Sequence, residues 1–571
     1  MGIKIVSVAE MRAIEEAADK AGHSFAAMME LAGRGLAEQI PYSGANILVL
    51  VGPGNNGGDG LVAAKYLSSE VGANVTVYQL ETRKKTDPLI KSAQEAGVVL
   101  VDYPSDAKNG FQGLHDLIVD TDFIVDALFG IGARLPIEGN AAKLLTQVHA
   151  ILQNAGERPT IINPAAGAPP NQTPIIIACD CPSGLNCDTG ELDPLALHAD
   201  VTVTFAAAKP GLFLFPGAEA VGELVIADIG LAQDMPELVN VGIDLADGVM
   251  VKNSLPTRKR DSHKGTFGKA LVVAGSLNYI GAAYLAGKAA YRAGAGLVTI
   301  GAPQPIIPTL AAMLPEATWV LLPHEMGVLH ENAVPILREE IEKYDALLMG
   351  PGFSNEDSTK RFIELVLQSG KPHPATQKHI GFHFNVPEES QPVETKDQVK
   401  LPPLVIDADG LNLLAEITDW SKLLPPNTIL TPHPGEFARL AGLKDEENGP
   451  SAIQQVQTNR LGLAAKYAQE WKAVVVLKGA FTVVAEPNGH VTLLPFATSA
   501  LATAGTGDVL AGVIVSLLAQ GLEPAKAAIA GAWLHGYAGE EISDDSQLTP
   551  ASVMASDVLE ALPKALAAVT R

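Results

Sequence analysis

Asn46-Ile-Leu-Val-Leu-Val-Gly-Pro-Gly-Asn-Asn-Gly-Gly-Asp-Gly60 reads as a buried strand, Asn46 to Val51, passing through a glycine-rich turn into a helix, Gly58 to Ser68. A short apolar run closed by glycine and proline has the pattern of a strand covered on both faces. Outward from it the pattern repeats. Asn74 to Leu80, Phe123 to Ala127, Pro174 to Ala178, Val201 to Ala206 and Glu223 to Ala227 are further strands, separated by helical stretches. Such alternation predicts a parallel sheet with helices on both sides. Upstream, Ser7-Val-Ala-Glu10 is a capping-box pattern opening a helix with Met11, Ile14 and Ala18 on one side. A second helical stretch, Ser24 to Ile40, follows it.

The first unit is expected to end near Gly230. Residues 231–260 lose the pattern, finish in the basic run Arg258-Lys-Arg260, and are expected to be a linker. A second alternating unit then begins, with strands Ala270 to Ala274, Leu297 to Ile300, Ala346 to Met349, Leu404 to Ile406, Thr428 to Leu430 and Val474 to Leu477. The helix Ala282 to Ala293 follows the first of these. Phe481 to Ala485 and Val491 to Leu494, joined across Pro487-Asn-Gly489, predict a hairpin. Helices from Asp508 and from Pro524 are expected to close the unit. The expected organisation is α/β throughout, with domains at 1–230 and 261–571. Asn154 to Pro174 and Lys371 to Pro403 fit neither sheet and read as surface insertions. In the second, His373, His379 and His383 are not expected to ligate metal.

A chain of 571 residues needs two to four domains. Its net charge of -24 argues against a nucleic-acid surface, so an anionic ligand must be met locally by loops and helix ends. Cys179, Cys181 and Cys187 lack an evident fourth ligand and are expected to be unpaired thiols in a reducing cytosol. Neither a secretory leader nor an apolar run long enough to span a bilayer is read, so the expected location is cytoplasmic, without membrane or nucleic-acid partners.

Gly52, Gly54 and Gly57 match the dinucleotide fingerprint G-x-G-x-x-G, and Glu81 ends the next strand where a ribose-binding acid belongs. That alone reads as a dehydrogenase. Against it, Asn55, Asn56 and Asp59 place polar side chains where a dinucleotide needs close backbone approach. Asp126, Asp180 and Ser183 add polar groups at other strand ends, which line one crevice in an open parallel sheet. The oxygens of Asn56, Asp126 and Ser183 suit an alkali or alkaline-earth ion, leaving Asp180 for acid–base work. Turn chemistry is the competing explanation for each of them.

In the second half, Leu501-Ala-Thr-Ala-Gly-Thr-Gly-Asp508 precedes an apolar stretch, Val509 to Leu518. Unpaired N–H groups at a helix start favour phosphate. A carboxylate there would repel it, so Asp508 is expected to act on the group receiving the phosphate; an ordinary N-cap is the alternative. Thr431-Pro-His-Pro-Gly-Glu436, Lys478-Gly-Ala-Phe-Thr482, Ser262-His-Lys-Gly-Thr-Phe-Gly268, Gly350-Pro-Gly352 and Gly281-Ala-Ala-Tyr-Leu-Ala286 are weak signals singly, but not in their order.

Taken together, the Gly52–Gly60 run, Asp126-Ala-Leu-Phe-Gly-Ile-Gly132, Asp180-Cys-Pro-Ser-Gly-Leu185 and Ala208-Lys-Pro-Gly-Leu212 resemble the NAD(P)H-hydrate epimerase family over roughly residues 5–230. The resemblance implies a Rossmann-like, three-layer domain that interconverts R- and S-NAD(P)HX, in which water has added to C6 of the nicotinamide ring. It also implies substrate contacts at Asn55, Asn56, Gly57, Gly58, Asp59, Gly130, Ile131, Gly132, Ala133, Arg134, Leu135, Pro136 and Asp180. Asn56, Asp126 and Ser183 would bind potassium, with Asp180 near the reacting carbon. C6 can lose its configuration by ring opening or by loss of the hydroxyl, and the sequence does not choose.

The second-half motifs resemble the ADP- or ATP-dependent NAD(P)H-hydrate dehydratase family, of ribokinase-like α/β fold, over roughly residues 250–567. This implies nucleotide contacts at Lys478, Gly479, Ala480, Phe481, Thr482 and Gly507. Ala282, Gly352, His433 and Asp508 would face the hydrated substrate, with Asp508 the base and magnesium accompanying ADP or ATP. Gly350-Pro-Gly-Phe-Ser354 departs from the Gly-Pro-Gly-x-Gly that members often carry, leaving the role of Ser354 open. The whole is expected to be a fused repair enzyme acting on NADHX and NADPHX, working as a homo-oligomer. A ribokinase-type small-molecule kinase with an N-terminal ligand-binding domain is the alternative.

Overall fold

The computed structural model describes residues 2–155, 173–371, 399–447, 449–545 and 548–570. Most of both expected insertions, with His373, His379 and His383, lies outside the described residues. The chain divides into two compact units, Ile3–Val241 and Gly242–Arg571.

In the first unit seven parallel strands lie in the order Val99–Asp102, Asn74–Gln79, Asn46–Val51, Phe123–Ala127, Ile175–Cys179, Val201–Phe205 and Glu223–Ala227. Alternation along Asn46–Val51 shows both faces buried. Ile47, Val49 and Val51 pack under Met11 and Ile14 of the Val8–Lys20 helix and Leu61 of the Asn55–Tyr66 helix. Leu48 and Leu50 face Leu114 of Gln112–Val119 and Leu144 of Gly139–Ala155. The Ser7–Glu10 capping box forms as its sequence predicts. The strand after Asn46–Val51 in sequence lies on one side of it, and Phe123–Ala127 on the other. Between Asn46–Val51 and Phe123–Ala127 the winding reverses, which opens a crevice beyond their carboxyl ends.

The second unit's sheet runs Ile243–Leu245, Val491–Leu493, Val483–Ala485, Val474–Leu477, Thr428–Leu430, Leu404–Ile406, Ala346–Met349, Lys269–Val273, Leu297–Pro303 and Thr318–Leu322. Its pairings are parallel except where Val483–Ala485 turns back between its two neighbours, the predicted hairpin. The segment expected as linker carries structure of its own. Ile243–Leu245 adds in parallel to Val491–Leu493, and Asp247 caps the helix Gly248–Ser254 through the N–H of Met250. Ile243-Asp-Leu245 has an aspartate at its centre and only Leu245 buried, so no apolar run marks it as a strand. The strands Val99–Asp102 and Thr318–Leu322 and the closing helix Ala555–Thr570 were likewise not anticipated. Each strand is an edge strand with polar or exposed positions, and the helix follows two others already taken as the end.

Candidate active sites

At the first crevice, the Gly52 N–H donates to the Ala127 carbonyl at 3.1 Å. A Cβ on Gly52 would stand 1.9 Å from the Leu128 oxygen, and one on Gly57 would stand 2.1 Å from the Gly52 oxygen. Neither position tolerates a side chain. The fingerprint glycines therefore let the turn press between two strand ends. Gly54 caps the Asn55–Tyr66 helix without a side-chain bond, leaving its first N–H groups unspoken for by a capping side chain.

Asn56, just inside that helix, is buried with neither amide atom hydrogen-bonded. Gly130 lies against it, since a Cβ there would be 2.9 Å from Asn56 Oδ1. Asp126 is completely buried. Its Oδ1 accepts from the Ser183 hydroxyl at 2.6 Å and its Oδ2 from the Ser183 N–H at 2.8 Å. Burial pushes the Asp126 carboxyl up despite these bonds and that from the Leu128 N–H. A buried carboxylate answered only by neutral donors, beside an orphaned amide, is the donor set of a hard cation.

Asp180 adopts a left-handed backbone, φ 66°, directly after its strand. Lys209 Nζ donates to Asp180 Oδ1 at 2.6 Å and to Thr204 Oγ1 at 2.7 Å, and Thr204 donates to the same carboxylate oxygen at 3.1 Å. Burial disfavours the Lys209 charge, but Asp180 outweighs it and holds the ammonium up. A cavity of about 520 Å³ opens above, lined by Asn55, Asn56, Asp59, Asp180, Lys209 and the Gly130–Ala133 turn. Arg12 and Glu15 of the first helix line it too. Burial and then Asp180 push both Asp59 and Glu15 up, Asp59 strongly. Gly57 and Gly58 sit beneath as helix backbone, and Arg134, Leu135 and Pro136 continue the turn outside this lining. Arg12, Glu15, Thr204 and Lys209 had not been singled out. Lys209 stood within a quoted motif, whereas Glu15 looked like the solvated side of an amphipathic helix.

In the second unit Gly505, at φ 92°, caps the helix Thr506–Ala519. The Thr506 hydroxyl donates to Leu501 and Thr503 carbonyls at 2.9 Å, fixing the turn. His535 donates to the Thr506 carbonyl at 2.9 Å, and burial pushes its pKa down to about 4, so it is neutral. Lys478 Nζ lies 2.7 Å from Asp407 Oδ1 and 3.8 Å from Glu436 Oε2. Asp407 also accepts from the Thr431 hydroxyl at 2.7 Å, and its buried Oδ2 has no partner. Burial lowers the Lys478 pKa, but Asp407 and Glu436 raise it further. Asp508 is pushed up to about 7 by burial, then by Asp407, with Lys478 opposing. Glu436 is likewise pushed up to about 7, chiefly by burial, with Lys478 opposing.

Lys478, Gly479, Ala480, Thr482 and Gly507 line a cavity of about 190 Å³ with His535. Phe481 is outside this lining, and its N–H bonds the Phe496 carbonyl. Gly352 meets Ala282, for a Cβ on it would be 2.8 Å from that of Ala282. His433 caps Pro434–Leu440 with Nδ1, and burial, Lys478 and Arg439 push its pKa down. Ser354 occupies φ 67°, the left-handed region that favours glycine. Its hydroxyl is 3.2 Å from that of Ser276, and its N–H donates to Asp409 at 2.9 Å. Asp407, Asp409 and Glu436 had not been singled out, although Asp407 directly follows a predicted strand. A further cavity, of about 1000 Å³, lies at the opposite strand ends, beside Asn427, Thr428 and Val474.

Residues 25–211 match the family described as YjeF-related protein N-terminus, and residues 270–374 and 386–564 match NAD(P)H-hydrate dehydratase. The chain is 35% identical over 552 residues to the bifunctional NAD(P)H-hydrate repair enzyme Nnr of Moorella thermoacetica, covering 94% of this chain and 92% of that one. It is 33% identical to the enzyme of that name from Thermofilum pendens, covering 99% and 97%. Among solved structures, an ADP/ATP-dependent NAD(P)H-hydrate dehydratase from Bacillus subtilis is 30% identical, spanning 57% of this chain and 98% of its own at a TM-score of 0.44. With relatives matched along nearly their whole length and both family segments present in order, the chain belongs to the bifunctional NAD(P)H-hydrate repair enzymes, which join an epimerase to an ADP/ATP-dependent dehydratase.

Proposed function

We propose that the unit Ile3–Val241 performs the epimerisation and Gly242–Arg571 the dehydration. The observation that carries the second assignment is a carboxyl, Asp508, held near neutral pKa in the first turn of a helix beside the half-buried Lys478 ammonium. Asp508 takes the proton of the C6 hydroxyl, which attacks the terminal phosphoryl of the nucleotide. The N–H groups of Ala504 to Gly507 and Lys478 meet the charge growing on that phosphoryl. Phosphate then leaves far more readily than hydroxide as the ring nitrogen's electron pair forms N1=C6, and loss of the C5 proton restores the C5=C6 bond of NAD(P)H. Ala282, Gly352 and His433 hold the substrate, and Lys478 to Thr482 with Gly507 hold the nucleotide, ADP or ATP. Magnesium bound to that nucleotide supplies charge neutralisation on its phosphates.

In the first unit Asn56, Asp126 and Ser183 fit potassium, on the strength of the orphaned amide and the buried carboxylate. Asn55 to Asp59, Gly130 to Pro136 and Asp180 surround the substrate. Three free, buried thiols support a reducing, cytoplasmic setting.

Hydrated NADH containing both epimers, mixed with the protein and ADP or ATP, tests the whole reading through recovery of near-ultraviolet absorbance. Complete recovery is expected; recovery of about half would leave only the dehydratase, and none would refute both assignments. Asp126→Ala is expected to weaken the dependence of epimerisation on potassium in a titration of that ion. An unchanged potassium curve would return Asp126 to a structural role.

A further inference from the structure

The second unit's cavity of about 190 Å³ beside Lys478 has apolar walls, among them Leu494, Phe496, Leu501 and Ala532, and few polar side chains. All but one of those polar side chains are already engaged. Lys478 Nζ donates to Asp407, and the Thr482 hydroxyl donates to the Gly479 carbonyl at 2.9 Å. The Thr506 hydroxyl donates to the Leu501 and Thr503 carbonyls, and Thr498 Oγ1 accepts from the Ala500 N–H at 3.2 Å. His535 is the exception. Its ring is 8% exposed, and Nε2 lies 2.9 Å from the Thr506 carbonyl oxygen. Nδ1 of the same ring has no partner among the described residues.

That single bond fixes the tautomer. A carbonyl oxygen only accepts, so the ring proton sits on Nε2. The ring is buried, with no carboxylate among its described partners, and stays neutral, so Nδ1 is left with a lone pair. An acceptor closed away from bulk water on the wall of a ligand cavity is satisfied when a donor enters.

Its place on the cavity narrows which donor that is. Thr506 opens the helix whose first N–H groups meet the transferred phosphoryl, so His535 is anchored near the phosphate end. Phosphate oxygens are themselves acceptors and do not answer a lone pair. In an adenine nucleotide the donors nearest the phosphates are the ribose hydroxyls, and the exocyclic amine lies at the far end of the base. Resting on the dehydratase reading, we infer that His535 Nδ1 accepts a hydrogen bond from a ribose hydroxyl of the nucleotide, and so makes this site prefer ribonucleotides to deoxyribonucleotides as phosphoryl donors.

The test follows dehydration of S-NADHX by the full chain with ADP, 2′-deoxy-ADP, 3′-deoxy-ADP and inosine diphosphate. In the native chain one of the deoxy analogues is expected to lose about 10- to 100-fold in kcat/KM, because it leaves the buried acceptor unpaired. His535→Phe keeps an aromatic ring but no acceptor, and the preference for ADP over that analogue is expected to vanish. A ring that only packs its helix would weaken every donor alike and leave the preference intact, which would overturn the inference. Equal use of ADP and both deoxy analogues by the native chain would overturn it without any variant. Discrimination against inosine diphosphate alone, abolished by His535→Phe, would move the bond to the base amine and overturn the ribose assignment. Failure of the native chain to dehydrate S-NADHX with either ADP or ATP would instead remove the dehydratase reading.

Discussion

Asp508→Ala is expected to lower dehydration of S-NAD(P)HX by about 10²- to 10⁴-fold while epimerisation continues at the native rate, as measured by separate assays on one preparation. The carboxyl has no substitute within its turn, because its neighbours Gly505, Thr506 and Gly507 offer no basic group. Loss of activity will not reflect unfolding. An acid whose folded pKa is raised from 3.8 to about 7 binds its proton more tightly in the folded chain. Its contribution to stability is present at low pH and is lost as pH rises through about 7. Removing it should leave the second unit at least as stable at pH 8, by thermal melting. The same pKa sets a pH profile: kcat/KM for dehydration should fall as pH drops below about 7, where the base is increasingly protonated. Dehydration at the native rate by the Ala variant would mean that another group takes the hydroxyl proton.

Lys209→Met is expected to be the most destabilising single change at the first site. Its ammonium is 1% exposed and answers a carboxylate that is 11% exposed. Deleting one partner of a buried pair leaves the other charge uncompensated, at a cost of about 3–5 kcal/mol. For a unit of this size that is a fall in melting temperature of roughly 6–20 °C. The double variant Lys209→Met/Asp180→Asn should regain much of the stability without regaining epimerisation. That outcome separates the pair's structural effect from the part Asp180 plays in epimerisation. A melting temperature unchanged in the single variant would show that Asp180 is answered by solvent instead.

The strand–turn–helix at Asn46–Gly60 was legible because each of its parts is local. The apolar run fixes the strand, and the glycines fix a turn that can press against Leu128. Asp126, Ser183, Lys478 and Asp508 could be picked out as candidates for the same reason, each standing at or just beyond a strand or at a helix start. What escaped was the electrostatic partnership across the fold. Asp407 follows a three-residue strand, Leu404–Ile406, and gains meaning only when Lys478 arrives from seventy-one positions later in the chain. Glu15 faces a cavity, although its helix shows an ordinary polar side. Ile243–Leu245 becomes a strand only because Val491–Leu493 presents an edge to it. Pairings that depend on sheet order leave no trace in local periodicity.

Ser354 shows how one residue can change when an ordering cost is met. A glycine in that turn would sample many backbone states and surrender them each time the turn is ordered. Ser354 is held in the left-handed region by Ser276 and Asp409, at a strain of about 1–3 kcal/mol. That cost falls once, on folding. The chain thus trades some stability for a turn whose shape is set in the folded state.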